Sequence, residues 1–250
     1  MSISGKVAIA GIGQTRFGKG LEPSERELAC LAIDAALRDA GIEPGAVDGL
    51  SCYTMEATAD FDLVRDLGLG PITFFGQVGH GGGAGPGTVG LAAKAVPWGQ
   101  ATTAVAWRAR KRSGAASRVW AQSGAVLEDH WKWSRPSGLL RPVDEVAMLA
   151  RRYSHEYGDI APALAQFAVT LREYACANPA ATMFGKPIST DDYYASRMIA
   201  DPLRLYDNCL ETDGAVAVVL VAADRASRSN GPPVLIEALA QGMIPGHQPM

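Results

Sequence analysis

Residues 79–87 read Gly-His-Gly-Gly-Gly-Ala-Gly-Pro-Gly and run directly into a small-residue segment that begins at Thr88. Glycines let main chain approach a ligand closely, and a helix start leaves N–H groups without intrahelical partners. The pair of features suits an anion, either a phosphate or a thioester oxygen on its way to an enolate. A Walker loop is excluded, because no Gly-Lys-Ser/Thr follows. Close packing of a helix at a crowded centre would ask for the same glycines, so site and packing both stand at this point. His80 is the titratable side chain at the start of the cluster and a candidate catalytic group, although a lone histidine is more often structural or exposed.

Other residues carry weaker chemistry. Gly11-Ile12-Gly13 follows an apolar run, as in a dinucleotide fingerprint, but the third glycine position holds Arg16 and the next helix starts only near Ser24. A tight glycine turn after a core strand is expected instead. Arg108, Arg110, Lys111, Arg112 and Arg118 cluster beside Trp120, Trp131 and Trp133. That cluster could hold the phosphates of a coenzyme or form a solvated interface. Asp191-Asp192 is expected to cap a helix rather than form an acid–base dyad, and Asp213-Gly214 to turn the chain into a strand. His130, His155 and His247 have no motif around them.

These residues must be positioned by an alternating set of elements. Residues 6–12 read as a short buried strand. Ser24 with Glu27 forms a capping box for a helix over Glu25–Ala40, which Gly41 ends. Strands are expected at 47–53, 72–78 and 101–107, with a helix at Asp60–Leu67 and another at 88–96. Two amphipathic helices follow at 143–157 and 162–177, a helix start at 188–194 and an irregular crossing at 199–203. Residues 213–223 are the clearest buried strand, and 233–240 another. This pattern is α/β with a layered core. Across 250 residues, 48% hydrophobic and 20% charged, a sizeable core can be buried. A net charge of −3 offers no basic field for nucleic acid, and no apolar run is long enough to span a membrane. Cys30, Cys52, Cys176 and Cys209 are scattered without a CxxC pair, which fits free thiols in a reducing cytoplasm and no metal site.

Several segments together resemble the thiolase superfamily, across essentially the whole chain. They are the opening VAIAGIGQTRFG, residues 29–41 followed by Val47-Asp48-Gly49-Leu50, the run 199–205 (IADPLRL), and Glu211-Thr212-Asp213-Gly214-Ala215. The last two match the sterol-carrier type. Thiolases of the usual kind carry a nucleophilic cysteine at the head of a buried helix. At that position this sequence has Gly82-Gly83-Ala84-Gly85, so an acyl-enzyme cannot form there. The cysteine-free pattern, with Phe74-Phe75, Arg112-Ser113-Gly114, Ala150-Arg151-Arg152-Tyr153 and Gly185-Lys186-Pro187-Ile188, is similar to the thiolase-fold aldolases of steroid side-chain degradation, often labelled lipid-transfer proteins.

The resemblance implies a layered αβαβα fold and retro-aldol cleavage of a β-hydroxyacyl-CoA that releases propionyl-CoA. It implies Gly81, Gly82 and Gly83 facing the thioester, and no cofactor beyond the CoA thioester as substrate. A homodimer with residues 101–107 at its axis and a small OB-fold partner are implied as well. A non-catalytic thiolase-like scaffold subunit and an acyl-CoA acyltransferase are the rival readings. The family's acid–base segments, Tyr-Asp-His and Asn-Thr-His-Gly-Gly, have no counterpart here, and 242–250 follow an apolar strand without a cap or charged tail, so the sequence reads as interrupted. The expected organisation is 1–107 as the N-terminal core half, 108–198 as an inserted loop and helical region, 199–240 as returning strands, and 241–250 as the start of a C-terminal half.

Overall fold

The computed structural model describes residues 2–54, 57–79, 82–112, 131–226 and 232–242. The chain divides into two compact units, one of residues 1–111 and 212–250, the other of 112–211.

The first unit is built on a mixed six-stranded sheet. Its elements are β1 (Val7–Gln14), α1 (Glu25–Ala40), β2 (Gly49–Tyr53), α2 (Asp60–Leu67), β3 (Phe74–Val78), α3 (Ala84–Ala95) and β4 (Thr103–Arg110), joined after the second unit by β7 (Gly214–Ala222) and β8 (Val234–Leu235). The order across the sheet is β3-β2-β4-β7-β1-β8. β2 runs parallel to both β3 and β4, while β7 is antiparallel to β4 and β1. The sheet separates two apolar layers. Val105, Trp107, Ala217, Val219 and Val221 lie in the cluster with α1, and Ala104, Ala106 and Leu220 in the cluster with α3. β7 is therefore covered on both faces, which is why its sequence is one apolar run rather than an alternation.

Helix α1 is set by its ends as its sequence dictates. Ser24 Oγ accepts the Glu27 N–H, Glu27 Oε2 accepts the Ser24 N–H, and Gly41 closes the helix in the left-handed region at φ 65°. Its buried face is rich in alanine: Ala29, Ala32, Ala36 and Ala40. That face explains Gly11 and Gly13, which are not in a turn but inside β1. A Cβ on Gly13 would fall within 3.0 Å of the Ala32 carbonyl oxygen and the Ala36 amide nitrogen, and one on Gly11 within 3.0 Å of Ala36 and Ala40 main chain. The glycines let helix and strand touch backbone to backbone. Alternation of glycine in β1 against alanine in α1 carries this contact; local signal alone predicts a turn, because it does not include the helix that arrives.

Three further expectations change. Helix α3 begins at Ala84, four residues before Thr88, so Ala84–Gly87 are helical. Of residues 101–107, 103–107 belong to β4, whose two edges are taken by β2 and β7; a central strand has no free edge to pair across a dimer axis, and the open strand at that end of the sheet is β3. Of 233–240 only Val234 and Leu235 form a strand, beside β1; Ile236 still donates its N–H to the Val7 carbonyl at 2.9 Å, and Leu239 then reaches Gly90 and Gln241 reaches Gly87 of α3.

The second unit holds α4 (Trp131–Ser134), α5 (Pro142–Tyr157), α6 (Ala161–Ala177) and α7 (Thr190–Ala195), with a hairpin of β5 (Met198–Ala200) and β6 (Leu203–Arg204). Residues 199–211 thus belong to this unit rather than to the returning strands, and 108–111 finish β4 in the first. Ser189, not the aspartate pair, caps α7: its Oγ accepts the Asp192 N–H, and Asp192 answers to the Ser189 N–H. Behind α7, the buried Tyr193 hydroxyl donates to Asp207 at 2.9 Å; burial first, and the carboxylate second, hold that phenol well above its ordinary value.

Candidate active site at the head of helix α3

Strands β2, β3 and β4 are parallel, so their carboxyl ends meet on one edge of the sheet, where α/β folds gather ligands. The chain leaves β3 at Val78 and enters α3 at Ala84, which places the head of α3 at this edge. Gly83 precedes the helix at φ −79° without a side-chain cap, and its carbonyl oxygen accepts the Gly87 N–H. By helix geometry Ala84 and Gly85 have no carbonyl one turn back, and Pro86 has no N–H. Their two N–H groups therefore sit at the positive end of the helix.

The glycines of this run divide by what surrounds them. Among the described residues, a Cβ at Gly82, Gly83 or Gly85 would meet nothing within 4 Å. A Cβ at Gly87 would press on Val78 at 3.1 Å, and one at Gly90 would touch Leu239 at 3.5 Å. Packing by the described residues therefore accounts for Gly87 and Gly90 inside the helix, and not for the glycines at its head. His80 and Gly81 lie outside the described residues, as do Arg118, Trp120, His130 and His247.

The walls come from neighbouring strand ends. Tyr53, the last residue of β2, is buried against Val78 and Ala84, the first residue of α3. The Arg108 guanidinium lies over the Tyr53 ring, 4.6 Å from its centroid. The Thr54 N–H donates to the Val78 carbonyl at 3.2 Å, tying β2 to the loop that leads into α3. Lys111 closes the end of β4 by donating from Nζ to the Glu22 and Pro23 carbonyls. Of the basic cluster, Arg108, Arg110, Lys111 and Arg112 are described; Arg110 pairs with Glu25 at 3.9 Å.

On the α1 side of the same edge lies a half-buried carboxyl that the sequence did not disclose. Asp60, at the start of α2, accepts the Trp107 indole N–H at 2.9 Å, and Cys52 lies between Asp60 (3.8 Å) and the Gln77 amide (3.5 Å). Trp107 is 1% exposed and Cys52 0%. Burial pushes the Asp60 carboxyl above its ordinary value, against the opposing pull of the indole and thiol. The folded protein thus holds this proton more tightly than the unfolded chain does. The resulting stability is full below the unfolded pKa and declines as pH rises through the raised one. Asp60→Asn keeps an acceptor for the indole and removes the charge. Its Tm is expected to stay flat across that rise and to exceed wild type by about 2–4 °C at pH 7. Parallel Tm curves between about pH 4 and 8 would contradict this account.

No cysteine stands at the head of α3, and the free thiols are elsewhere. Cys209 is exposed, Cys30 and Cys176 are half-buried, and burial raises the Cys30 thiol. Titration with a thiol reagent at about pH 7.5 should modify Cys209 first, Cys30 and Cys176 more slowly, and Cys52 only on unfolding. A fast-reacting Cys52 would mean the β2 edge is open. Among the described residues no cluster of three metal-ligating side chains occurs, and no helix is long and apolar enough to cross a membrane.

A mixed sheet helix-covered on both faces, with a glycine-headed helix crossing one face, is a thiolase-like α/β fold. Comparison with known proteins agrees. No protein-family model matches the chain. It is 43% identical over 96% of its length to the steroid side-chain-cleaving aldolase of Thermomonospora curvata. It is also 43% identical, over 99% of its length, to the 17-hydroxy-3-oxo-4-pregnene-20-carboxyl-CoA lyase of Mycobacterium tuberculosis. It overlays on a chain of the Ltp2-ChsH2(DUF35) aldolase with a TM-score of 0.87 and 42% identity, covering 96% of this chain and 62% of that one. The chain belongs to the thiolase superfamily, in its sterol-carrier type. It spans 63% and 66% of the length of the two curated relatives.

Proposed function

We propose that this chain forms the N-terminal core of a thiolase-fold carbon–carbon lyase that cleaves a β-hydroxyacyl-CoA by retro-aldol reaction, with a steroid side chain as the acyl group. The observation that carries the reading is the head of α3, where no described residue stands against Gly82 or Gly83 and the run 82–85 contains no cysteine. A thiolase without that sulfur has no covalent acyl carrier, and retro-aldol chemistry needs none. A base takes the proton of the β-hydroxyl. The carbon–carbon bond breaks, its electrons move into the thioester carbonyl, and a ketone is left on the steroid. The enolate then takes a proton at carbon, giving propionyl-CoA when the acyl unit is branched as in the substrate for which the lyase relative is named. The Ala84 and Gly85 N–H groups and the positive helix end face the developing oxyanion. Gly82 and Gly83 supply main chain that leaves room for a bulky tertiary alcohol, and Gly81 is kept as a substrate-binding candidate on the resemblance alone. No base is assigned within this chain, and the CoA thioester serves as substrate with no separate cofactor.

The partners follow the same reading. A homodimer would form along the open edge of β3, where Phe75 is 73% exposed, rather than through β4. The second component of the Ltp2-ChsH2(DUF35) aldolase supports a small companion protein for this chain. Four free thiols support a cytoplasmic setting.

The test is incubation of the intact protein, with and without such a companion, with 17-hydroxy-3-oxo-4-pregnene-20-carboxyl-CoA. Equal amounts of 17-ketosteroid and propionyl-CoA, formed without added CoA, are expected. Cleavage that requires free CoA, or an acyl group trapped on a cysteine, would support the acyltransferase reading instead. Complete absence of turnover under both conditions would leave the scaffold reading.

A further inference from the structure

We infer that Thr88 is a positioning residue for the oxyanion site at the head of α3, acting through the Ala84–Gly85 peptide group. The inference rests on the lyase reading for what that site receives; its geometry rests on one buried hydroxyl. Thr88 is 4% exposed, and its Oγ1 donates to the Ala84 carbonyl at 2.7 Å. The amide that carries this carbonyl also carries the Gly85 N–H, on the opposite side of a planar trans unit. In a helix the carbonyl points toward the C-terminal end and the N–H back out of the head. A hydroxyl anchored on the carbonyl therefore fixes where the Gly85 N–H points.

The first turn needs such an anchor. Residues 84–87 are Ala-Gly-Pro-Gly, and Gly83 before them has no side-chain cap. Glycine is the loosest main chain in a helix, and proline contributes no N–H. The preceding amide is held as well, because the Gly83 carbonyl accepts the Gly87 N–H at 3.0 Å. Both N–H groups offered at the helix head, those of Ala84 and Gly85, thus belong to amides whose carbonyls are hydrogen-bonded from inside the helix. A carbonyl that accepts a hydrogen bond makes the N–H of its own amide a stronger donor. Among the described residues, the Thr88 hydroxyl is the only side-chain group hydrogen-bonded to the main chain of residues 82–87.

Packing offers a competing account. A buried threonine in a helix commonly turns its hydroxyl to the carbonyl one turn back, for want of another partner. On that account the hydroxyl is dispensable, because the Ala84 carbonyl keeps its helical N–H bond and a methyl would serve as well. The two accounts part over which half of the side chain matters. Positioning needs the hydroxyl, and packing needs the methyl.

Thr88→Val and Thr88→Ser separate them in the intact protein. Thr88→Val keeps the shape and loses the hydroxyl. Its Tm should match or exceed wild type, while kcat for cleavage of 17-hydroxy-3-oxo-4-pregnene-20-carboxyl-CoA falls about tenfold with KM nearly unchanged. That is less than the roughly 100- to 1,000-fold loss of an oxyanion donor outright, because the Gly85 N–H is loosened rather than removed. Thr88→Ser keeps the hydroxyl and loses a buried methyl. Its Tm should fall by about 2–4 °C while most of the wild-type kcat is retained. A second measurement needs no turnover. Binding of S-carboxymethyl-CoA, whose carboxylate stands in for the enolate, is followed by calorimetry beside neutral S-ethyl-CoA. Thr88→Val should weaken the anionic analogue by about three- to tenfold and leave the neutral one unchanged.

A Thr88→Val protein with wild-type kcat and wild-type affinity for the anionic analogue would overturn the inference. So would a Thr88→Ser protein as slow as Thr88→Val, or a Thr88→Val protein that loses Tm and both affinities together. Failure of wild type to release propionyl-CoA would overturn the lyase reading alone, because the paired binding measurements still decide the role of Thr88.

Discussion

Gly13→Val is expected to leave a protein that does not fold. A side chain at this position must displace either the Ala32 carbonyl oxygen or the Ala36 amide nitrogen, both main-chain atoms in the middle of α1. Main chain in a regular helix cannot rotate out of the way as a flexible side chain can, so the strand and helix must separate. α1 covers β1, β7 and β4 with Leu28, Ile33 and Leu37, all within 2% of full burial. Separation therefore loosens most of one core layer at once. Overpacking a single tight site costs about 1–3 kcal/mol, and a backbone collision at the centre of a layer belongs at or beyond the top of that range. Urea unfolding followed by far-ultraviolet circular dichroism checks this, with Gly20→Val as the control. Gly20 has open space around it but a φ of 65°, so that control separates the cost of left-handed backbone from the cost of collision. A Gly13→Val protein as stable as wild type would mean that α1 and β1 are not in backbone contact.

The second large effect falls on activity and spares the fold. Gly83→Trp is expected to reduce kcat/KM for the acyl-CoA by at least about 100-fold, while Tm moves by less than about 2 °C. Gly83 has φ −79° and ψ −8°, a conformation open to any residue, and its Cβ direction meets nothing within 4 Å. The indole would occupy the space in front of the Ala84 and Gly85 N–H groups, where the thioester oxygen is proposed to sit. Gly83→Ala should be nearly silent in both measurements. The reverse pattern, with stability falling and activity per folded molecule kept, would assign the glycine to packing. This pair of variants settles by experiment the choice between site and packing that the glycine run poses.

The contrast between these two glycine groups shows how far one-dimensional reading reaches. Both look alike as sequence: glycines beside an apolar element. Gly11 and Gly13 are bare because α1 touches them, and Gly82 and Gly83 are bare with no described residue against them. The difference lies in which distant residues arrive, and no residue close by in the chain encodes it.

Much else was legible because its cause is local. A capping box is formed by Ser24 and Glu27 and a left-handed cap by Gly41 alone, so both ends of α1 could be read directly. The uninterrupted apolar run of β7 announced burial on two faces. The absence of cysteine between residues 82 and 85 is read directly from the residues, and it sets this chain apart from a cysteine thiolase.

What tertiary structure decided depends on topology. β4 is central because β7 returns antiparallel beside it after the whole second unit has intervened. Asp60 meets Trp107 across 47 positions, and Arg108 meets Tyr53 from a different strand of the sheet. A side chain's propensity and its near neighbours carry no information about such partners. They are chosen by the order of strands in the sheet, which is a property of the whole chain's burial of apolar surface rather than of any segment in it.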